Sequence, residues 1–363
     1  MKKYFYFLIF ISLGACNVFA PSFGAKEKLT LLHDYKNSNP NKNTKISSLP
    51  EFAEFNIDEH PAVQAAKLRW HAAKEEIIQA DTLPEPELSY RFMAMDSSGE
   101  LAGHTFSISQ MFPWFGVLSL SSDIADARAR AAFEEYMGVK LSTIAAIKEA
   151  WSEYVYVHGA DKILQEHDEL LKNLNGVIKA LYQTGEATQS DLLRNQMEIE
   201  RIKKERQDVL ALKQAVGLKL NAALGQSANS PLPTPVKLSA EPLQIDAKEF
   251  TQKLLNLNPS LLSLKHNLEA RKTAVALAKK KFYPQLMLGL DYGLGSERRM
   301  ARMDGEDRDS IGAMVGLRIP LWFSSYRAAM RQAMAEQEAA KKDLINSENL
   351  LEAELALLFF QFN

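Results

Sequence analysis

Tyr182-Gln183-Thr184-Gly185-Glu186-Ala187-Thr188 is the one interruption in a helical stretch that otherwise runs from Ser119 to Leu224. No proline falls between Pro113 and Pro231, and the stretch is dense in Ala, Leu, Glu, Lys, Arg and Gln, the residues that lose least on entering a helix. Apolar residues recur at three- and four-residue spacing: Ile144, Ile147, Trp151, Tyr154 and Val155, then Leu171, Leu174, Ile178 and Leu181. The stripe resumes at Val209, Leu212, Val216, Leu220 and Ala223, the pattern of a coiled coil. At the break the stripe stops, a glycine enters, and Thr188, Ser190 and Asp191 offer caps for a new helix. The stretch is therefore expected to fold back as a helical hairpin over 119–224 with its tip near Gly185. An ascending arm of roughly 60 residues reaches on the order of 90 Å. No compact domain needs that reach, although the arm alone would also suit a long coiled-coil scaffold protein.

Over the whole chain the 363 residues carry a formal net charge of -2, which gives no argument for a nucleic-acid partner. The chain opens with Lys2-Lys3 and an apolar run from Tyr4 to Leu13, the pattern of a secretory signal over 1–20. That run is too short to span a bilayer as a helix. The single cysteine, Cys16, follows Leu13-Gly14-Ala15, a spacing that resembles the bacterial lipobox and predicts lipidation of Cys16; cleavage after Val18-Phe19-Ala20 is the alternative. Either way no cysteine pair remains for a disulfide. Residues 21–56 are polar and broken, around Lys36-Asn37-Ser38-Asn39-Pro40-Asn41-Lys42-Asn43, and are expected to form a disordered tether.

Between tether and arm the periodicity changes. A helix is predicted from His60-Pro61 to about Ala80, with proline in the first turn. Then Leu88, Tyr90 and Phe92 alternate with Glu87, Ser89 and Arg91, and Phe106 and Ile108 alternate with Thr105, Ser107 and Ser109, across the turn Asp96-Ser97-Ser98-Gly99. This β-hairpin over 87–112 has runs close to the length of a tilted transmembrane strand, apolar on one face and polar on the other. A half-buried soluble sheet would alternate in the same way. Phe112-Pro113-Trp114-Phe115-Gly116 leads into the arm with aromatics suited to a membrane–water interface.

The pattern then repeats. Pro86-Glu87-Leu88 returns as Pro284-Gln285-Leu286, and His60-Pro61-Ala62 as Asn258-Pro259-Ser260, at one common displacement. A helix from Pro259 to about Lys281 precedes a hairpin over 285–319 with a charged turn at Ser296 to Asp309. Ile319-Pro320-Leu321-Trp322-Phe323 then answers the earlier exit, and a second proline-free helix begins at Ser324. The chain thus divides into a first repeat over 57–226, a Pro-rich connector over 227–247 containing Ser230-Pro231-Leu232-Pro233-Thr234-Pro235, and a second repeat over 248–363.

From about Ile57 to the end this duplicated order resembles the TolC family of outer-membrane efflux channels. The resemblance rests on Asn258-Pro259, Pro284-Gln285-Leu286, Gln110 to Gly116, and the tip region Tyr182, Gly185 and Asp191-Leu192-Leu193. It implies a mainly α fold with β: a long coiled-coil hairpin plus four transmembrane strands per protomer. Three protomers would close a twelve-stranded barrel over an α-helical tunnel, because lipid does not tolerate open sheet edges. It further implies a homotrimer in the outer membrane of a Gram-negative bacterium, in contact with outer-membrane lipid. A periplasmic adaptor, or membrane fusion protein, would meet the tip at Thr184, Gly185 and Glu186, and an inner-membrane pump would supply the energy. Thr184 and Glu186 stand where many members carry aliphatic residues. Phe112, Trp114, Phe115, Trp322 and Phe323 would be interface aromatics, and Pro113 and Pro320 strand-exit prolines. The exit most resembles members that export metal cations, with drugs as the alternative cargo. Aligned on Pro113 and Pro320, Asn363 falls near Tyr156, so the second arm is expected to be truncated and to lack the family's gating residues.

No catalytic, cofactor or metal site is expected. The seven histidines are scattered, and His158 and His167 are not spaced to face one another. Asp304-Gly305-Glu306-Asp307-Arg308-Asp309 lacks the order of a calcium loop, and Lys203-Lys204-Glu205-Arg206 mixes signs as a solvated helix face does. A lipid-tethered periplasmic coiled-coil protein and a nonfunctional remnant of the channel are the competing readings.

Overall fold

The computed structural model describes residues 57–92, 103–235, 247–294 and 309–362. The expected signal segment with Cys16, the tether, the turn at 96–99 and nearly all of the charged turn before Asp309 lie outside the described residues. A short 3₁₀ turn, Ile57–Glu59, leads into α1, Pro61–Ala80. His60 caps α1, its Nδ1 accepting from the Ala62 N–H at 3.2 Å, and Pro61 occupies the first turn. Strands β1, Glu87–Phe92, and β2, His104–Phe112, follow. Then α2 runs unbroken over 68 residues, Val117–Thr184, and α3 returns over Gln189–Ala223. After the connector come α4, Ala247–Leu257, and α5, Pro259–Lys280, the latter capped by Asn258, whose Oδ1 accepts from Ser260 and Leu261. Strands β3, Gln285–Leu294, and β4, Ser310–Arg318, lead into α6, Phe323–Phe362.

At about 1.5 Å per residue α2 is roughly 100 Å long and serves as the spine. Near the strands it packs on α5, where Ile124 and Ala127 meet Ala270 and the small Ala125, Ala129 and Ala131 are buried beside them. Arg130 bridges to Glu269 of α5 at 3.2 Å, and Ser263 donates to Glu135 at 3.2 Å. Farther along, Val63 of α1 and Ile57 close over Ile147. Trp70 of α1 stacks on Tyr136 at 6.1 Å, and Lys140 reaches back to Asp58 at 2.8 Å. Beyond Ala150 the partner is α3, with Tyr154 and Val157 against Val216 and Leu220, the last fully buried.

The α2–α3 seam is a coiled coil with polar residues inside it. Tyr154, Asp161, Asp168 and Asn175 follow one another at heptad spacing on α2. Asp161 accepts from Arg206 at 3.2 Å and from Lys213 at 3.1 Å across the seam, Asp168 is buried and paired with Lys172, and Asn195 of α3 donates to Asn175 and to the Leu171 carbonyl. The Asp161 and Asn195 pairs hold the two arms in one register, because a shift along the seam would leave those polar groups without their partners.

All four strands form one antiparallel sheet in the order β1-β2-β3-β4. The two repeats therefore meet through β2 and β3, from His104 opposite Leu294 to Phe112 opposite Leu286. The helix α4 adds an element that the sequence reading did not assign. Its apolar positions span only eleven residues, and its Phe250 packs edge-on to Phe359 near the end of α6, a contact 6.1 Å between centroids that no local pattern reveals.

Candidate functional site

The sheet's registers align its alternation into two distinct faces. Leu88, Ile108, Leu290 and Ala313 lie in one cross-strand row, and Tyr90, Phe106, Tyr292 and Ile311 in the next. Phe112, Leu286 and Leu317 form a further row on the same face, and Leu288 and Val315 lie between. No described residue covers that face: Leu88 is 76% exposed and Ile311 82%. A water-facing surface of this kind would be strongly disfavoured, at about 25 cal/mol per Å² of apolar area.

The opposite face carries Ser89, Arg91, Thr105, Ser107, Ser109, Asp291 and Arg318, with Met111, Met287 and Met314 and a set of glycines. Two of those glycines are required by close approach. A Cβ on Gly316 would meet the Met287 methyl at 3.0 Å, and one on Gly289 would meet the Met314 methyl at 3.0 Å, so the two methionines each lie flat across a neighbouring strand. The outer strands β1 and β4 pair on one side only, which leaves two open edges.

A ring of aromatics marks where strands give way to helices. Phe112 ends β2, and Pro113, which has no N–H to donate to a ladder, follows it. Trp114 stacks on Tyr283 at 5.1 Å and 13°, Phe115 is 83% exposed, and Gly116 takes a φ of 81° to turn the chain into α2. At the second exit β4 ends at Arg318, Pro320 is buried, and Trp322 and Phe323 stand exposed, Trp322 at 77%. These are the residues expected above to sit at a membrane–water interface.

At the far end of the arm, Gly185 has a φ of 84°, the left-handed conformation that ends α2. The Glu186 and Ala187 amides both donate to the Leu181 carbonyl, at 2.8 and 3.2 Å, and the Thr184 hydroxyl joins them at 3.0 Å. Thr188 and Asp191 form a capping box that starts α3: the Asp191 amide donates to the Thr188 hydroxyl at 3.3 Å, and the Thr188 amide to the Asp191 carboxylate at 3.1 Å. The hydroxyl of Thr188 also holds the Asp191 carboxyl below the usual aspartate range. Thr184, Gly185 and Glu186 are fully on the surface, flanked by exposed Leu174, Val177, Leu181, Tyr182, Leu193 and Met197. No atom comes within 4 Å of a Cβ placed on Gly185, so the turn's backbone alone asks for glycine there.

Among the described residues no group of three His, Cys, Asp or Glu side chains is arranged to hold a metal ion. No described helix is long and apolar enough to cross a membrane. His158 packs its ring on Tyr154 at 4.1 Å, with Nδ1 2.9 Å from the Tyr154 carbonyl, beside an open groove of about 710 Å³ between α3 and residues 228–232. Asn221 ties that connector down by donating to the Ala228 and Ser230 carbonyls at 2.8 and 3.0 Å, which accounts for the groove as packing of the connector.

An exposed apolar sheet with open edges, mounted on a helical spine of this length, is the arrangement that a membrane-inserted subunit calls for. Residues 250–363 match the family model described as outer membrane efflux protein. Over that segment the chain matches this family, and the fold around it is similar to that of solved outer-membrane channels. The outer membrane protein VceC from Vibrio cholerae superposes with a TM-score of 0.69 at 16% identity, covering 86% of this chain and 78% of that one. CusC, described as forming a transmembrane channel, gives 0.66 at 16% identity over 88% and 79%. The open-state MtrE outer membrane channel of Neisseria gonorrhoeae gives 0.63 at 15% identity over 84% and 69%. Such identities speak for a shared fold. No curated protein matches the sequence.

Proposed function

We propose that this chain is the outer-membrane channel subunit of a tripartite efflux system, passing small solutes such as metal cations or drugs from the periplasm to the outside. The observation that carries the reading is the single four-stranded sheet whose apolar face is bare and whose two edges are unpaired. Four strands cannot close on themselves, and lipid leaves no backbone group to be satisfied by water. Three copies joined edge to edge, β4 to the next β1, make twelve strands and remove every edge. The face with Ser107, Asp291 and the methionine–glycine pairs then lines the lumen, and the apolar face meets outer-membrane lipid.

In this arrangement Phe112, Trp114, Phe115, Trp322 and Phe323 seat the barrel at the periplasmic interface, and Pro113 and Pro320 end the ladders there. The arms extend into the periplasm, and the exposed tip at Thr184, Gly185 and Glu186 contacts the adaptor, which couples the channel to an inner-membrane pump. Transport through the channel is passive, and Cys16, if lipidated, adds a second anchor. The test is native mass spectrometry and heat-modifiability of the protein extracted from its own outer membrane. A trimer whose mobility changes on boiling in detergent is expected. A monomer with the same mobility boiled and unboiled overturns the reading.

A further inference from the structure

The two repeats occupy equivalent places in the fold yet carry opposite charge where their leading helices meet the sheet. Taking Pro86 as the counterpart of Pro284, residues 81–85 correspond to 279–283. The first repeat reads Asp81-Thr82-Leu83-Pro84-Glu85; the second reads Lys279-Lys280-Lys281-Phe282-Tyr283. The end of α1 has no basic residue in its last turn, whereas α5 has Lys279 and Lys280 there and Lys281 at its cap. A helix C-terminus favours cations, but α1 shows that this fold position does not require them.

The lysines also lack an anionic partner among the described residues. None of the three is in an ion pair with a described acidic residue, and Lys279 and Lys281 are exposed. Lys280 places Nζ 5.7 Å over the Tyr283 ring, and that ring is stacked on Trp114. Trp114 lies two residues past the end of β2, between Phe112 of the apolar face and exposed Phe115, and Tyr283 lies three residues before Leu286 of that face. The three lysines thus adjoin the aromatics at the strand–helix exits, at one end of the apolar face.

We propose that Lys279, Lys280 and Lys281, with Trp114 and Tyr283, bind the phosphate headgroup of an anionic phospholipid in the leaflet on the helical side of the sheet. The inference rests on the membrane placement argued above. Charge selects the headgroup, and continuity with the apolar face selects a lipid over a free anion, because the acyl chains lie along Leu286 and Leu288 while the phosphate meets the ammonium groups. The first repeat, with Asp81 and Glu85 in the corresponding place, repels the same headgroup. A barrel built from such subunits would hold anionic lipid at alternate shoulders.

The test uses the full chain purified in non-ionic detergent, with retained lipid counted by native mass spectrometry as dioleoylphosphatidylglycerol or dioleoylphosphatidylcholine is added. Phosphatidylglycerol is expected to be retained at about a hundredfold lower concentration, about fivefold for each lysine. The combined variant Lys279→Gln, Lys280→Gln, Lys281→Gln erases that preference, and Asp81→Asn with Glu85→Gln leaves it in place. Where the triple variant does not fold, Lys281→Gln alone, at an exposed position, lowers the preference about fivefold. Equal retention of the two lipids by the wild type, or an unchanged preference in the lysine variants, overturns the inference. Displacement of phosphatidylglycerol by millimolar inorganic phosphate overturns it in favour of a free-anion site. A heat-modifiable trimer without lipid preference refutes this inference alone, whereas a chain that is neither heat-modifiable nor trimeric refutes the channel reading beneath it.

Discussion

On the sheet, Leu88, Ile108, Leu290 and Val315 face outward and the small and polar side chains share the other face; on the arm, Val157, Val216 and Leu220 lie in the seam while Glu153, Lys203 and Lys219 stand outside. The same chain thus turns its apolar residues out on the sheet and in along the seam, while others on the arm, Leu170, Leu174 and Leu212 among them, stay exposed. The difference teaches what surrounds each part. An arm of this length in water must bury its stripe against a second helix, and a sheet whose apolar face no described residue covers is matched to lipid. The two regions also treat buried polarity differently. The seam admits Asp161 and Asn195 because cross-helix partners are available, and Asp168 because Lys172 pairs with it one turn away, while the sheet's apolar face carries no charged residue in any described row.

A charge placed on the apolar face breaks the comparison most severely. Leu290→Arg sits in the middle of β3, where a cation facing lipid costs about 2–4 kcal/mol, and in a closed trimer it is repeated in every subunit. Loss of the heat-modifiable species and of protein from the membrane fraction is the expected outcome. Ser107→Arg, on the other face of the neighbouring strand, is expected to assemble normally. Equal behaviour of the two variants would mean that the faces do not differ in their surroundings.

Within the arm the corresponding change is a cavity. Leu220 is 0% exposed between Tyr154, Val157 and Val216, and Leu220→Ala is expected to cost about 2–5 kcal/mol, read as a lower midpoint for thermal loss of helical signal. Membrane insertion of the sheet is expected to survive, since the two regions rest on separate packing.

Asp161 sharpens the comparison through pH. Burial pushes its carboxyl up, but hydrogen bonds and charges from Lys213 and Arg206 outweigh that and hold it below the usual aspartate range. A folded value below the unfolded one, about 3.9, means a stabilising contribution that is complete above that pH and is lost as pH falls through the folded value. Asp58, held down chiefly by Lys140, follows the same sign. Asp161→Ala leaves Arg206 and Lys213 without their partner and is expected to cost about 1–2 kcal/mol at neutral pH. It should also flatten the acid limb of the stability curve below about pH 4. An unchanged acid limb would remove Asp161 from the register-setting role.

Much of this was legible in the sequence because it is written in local pattern. The proline-free run, the glycine at 185, Thr188 with Asp191, and the alternation around Leu88 and Ile108 each report one element through its own period, and the common displacement of the two proline motifs reports the duplication. What was not legible depends on residues far apart in the chain. The pairing of β2 with β3 joins positions nearly two hundred residues apart. The heptad of Asp161, Asp168 and Asn175 looks like a solvated face until Arg206, Lys213 and Asn195 are brought opposite. The stacking of Trp114 on Tyr283 beneath Lys280 likewise needs both repeats folded. The helix α4 was missed because eleven residues carry too little periodicity to stand out.

The smallest expected effects lie at the tip, where neither lipid nor a seam partner constrains the chain and only backbone geometry does. Thr188→Ala removes the side chain that caps α3, and the reciprocal bond from Asp191 to the Thr188 amide cannot replace the acceptor lost to the Asp191 amide. A cost of about 1 kcal/mol is expected, seen as faster amide exchange over the first turn of α3 with little change in global unfolding. Gly185→Ala has free space for its methyl group but must hold a φ of 84°, so its cost of about 1 kcal/mol is purely conformational. Gly185→Asn, which tolerates the left-handed region, should recover part of it. If Asn is no better than Ala, the glycine is there for contact with the adaptor and not for the turn, and adaptor binding should then fall in both variants alike.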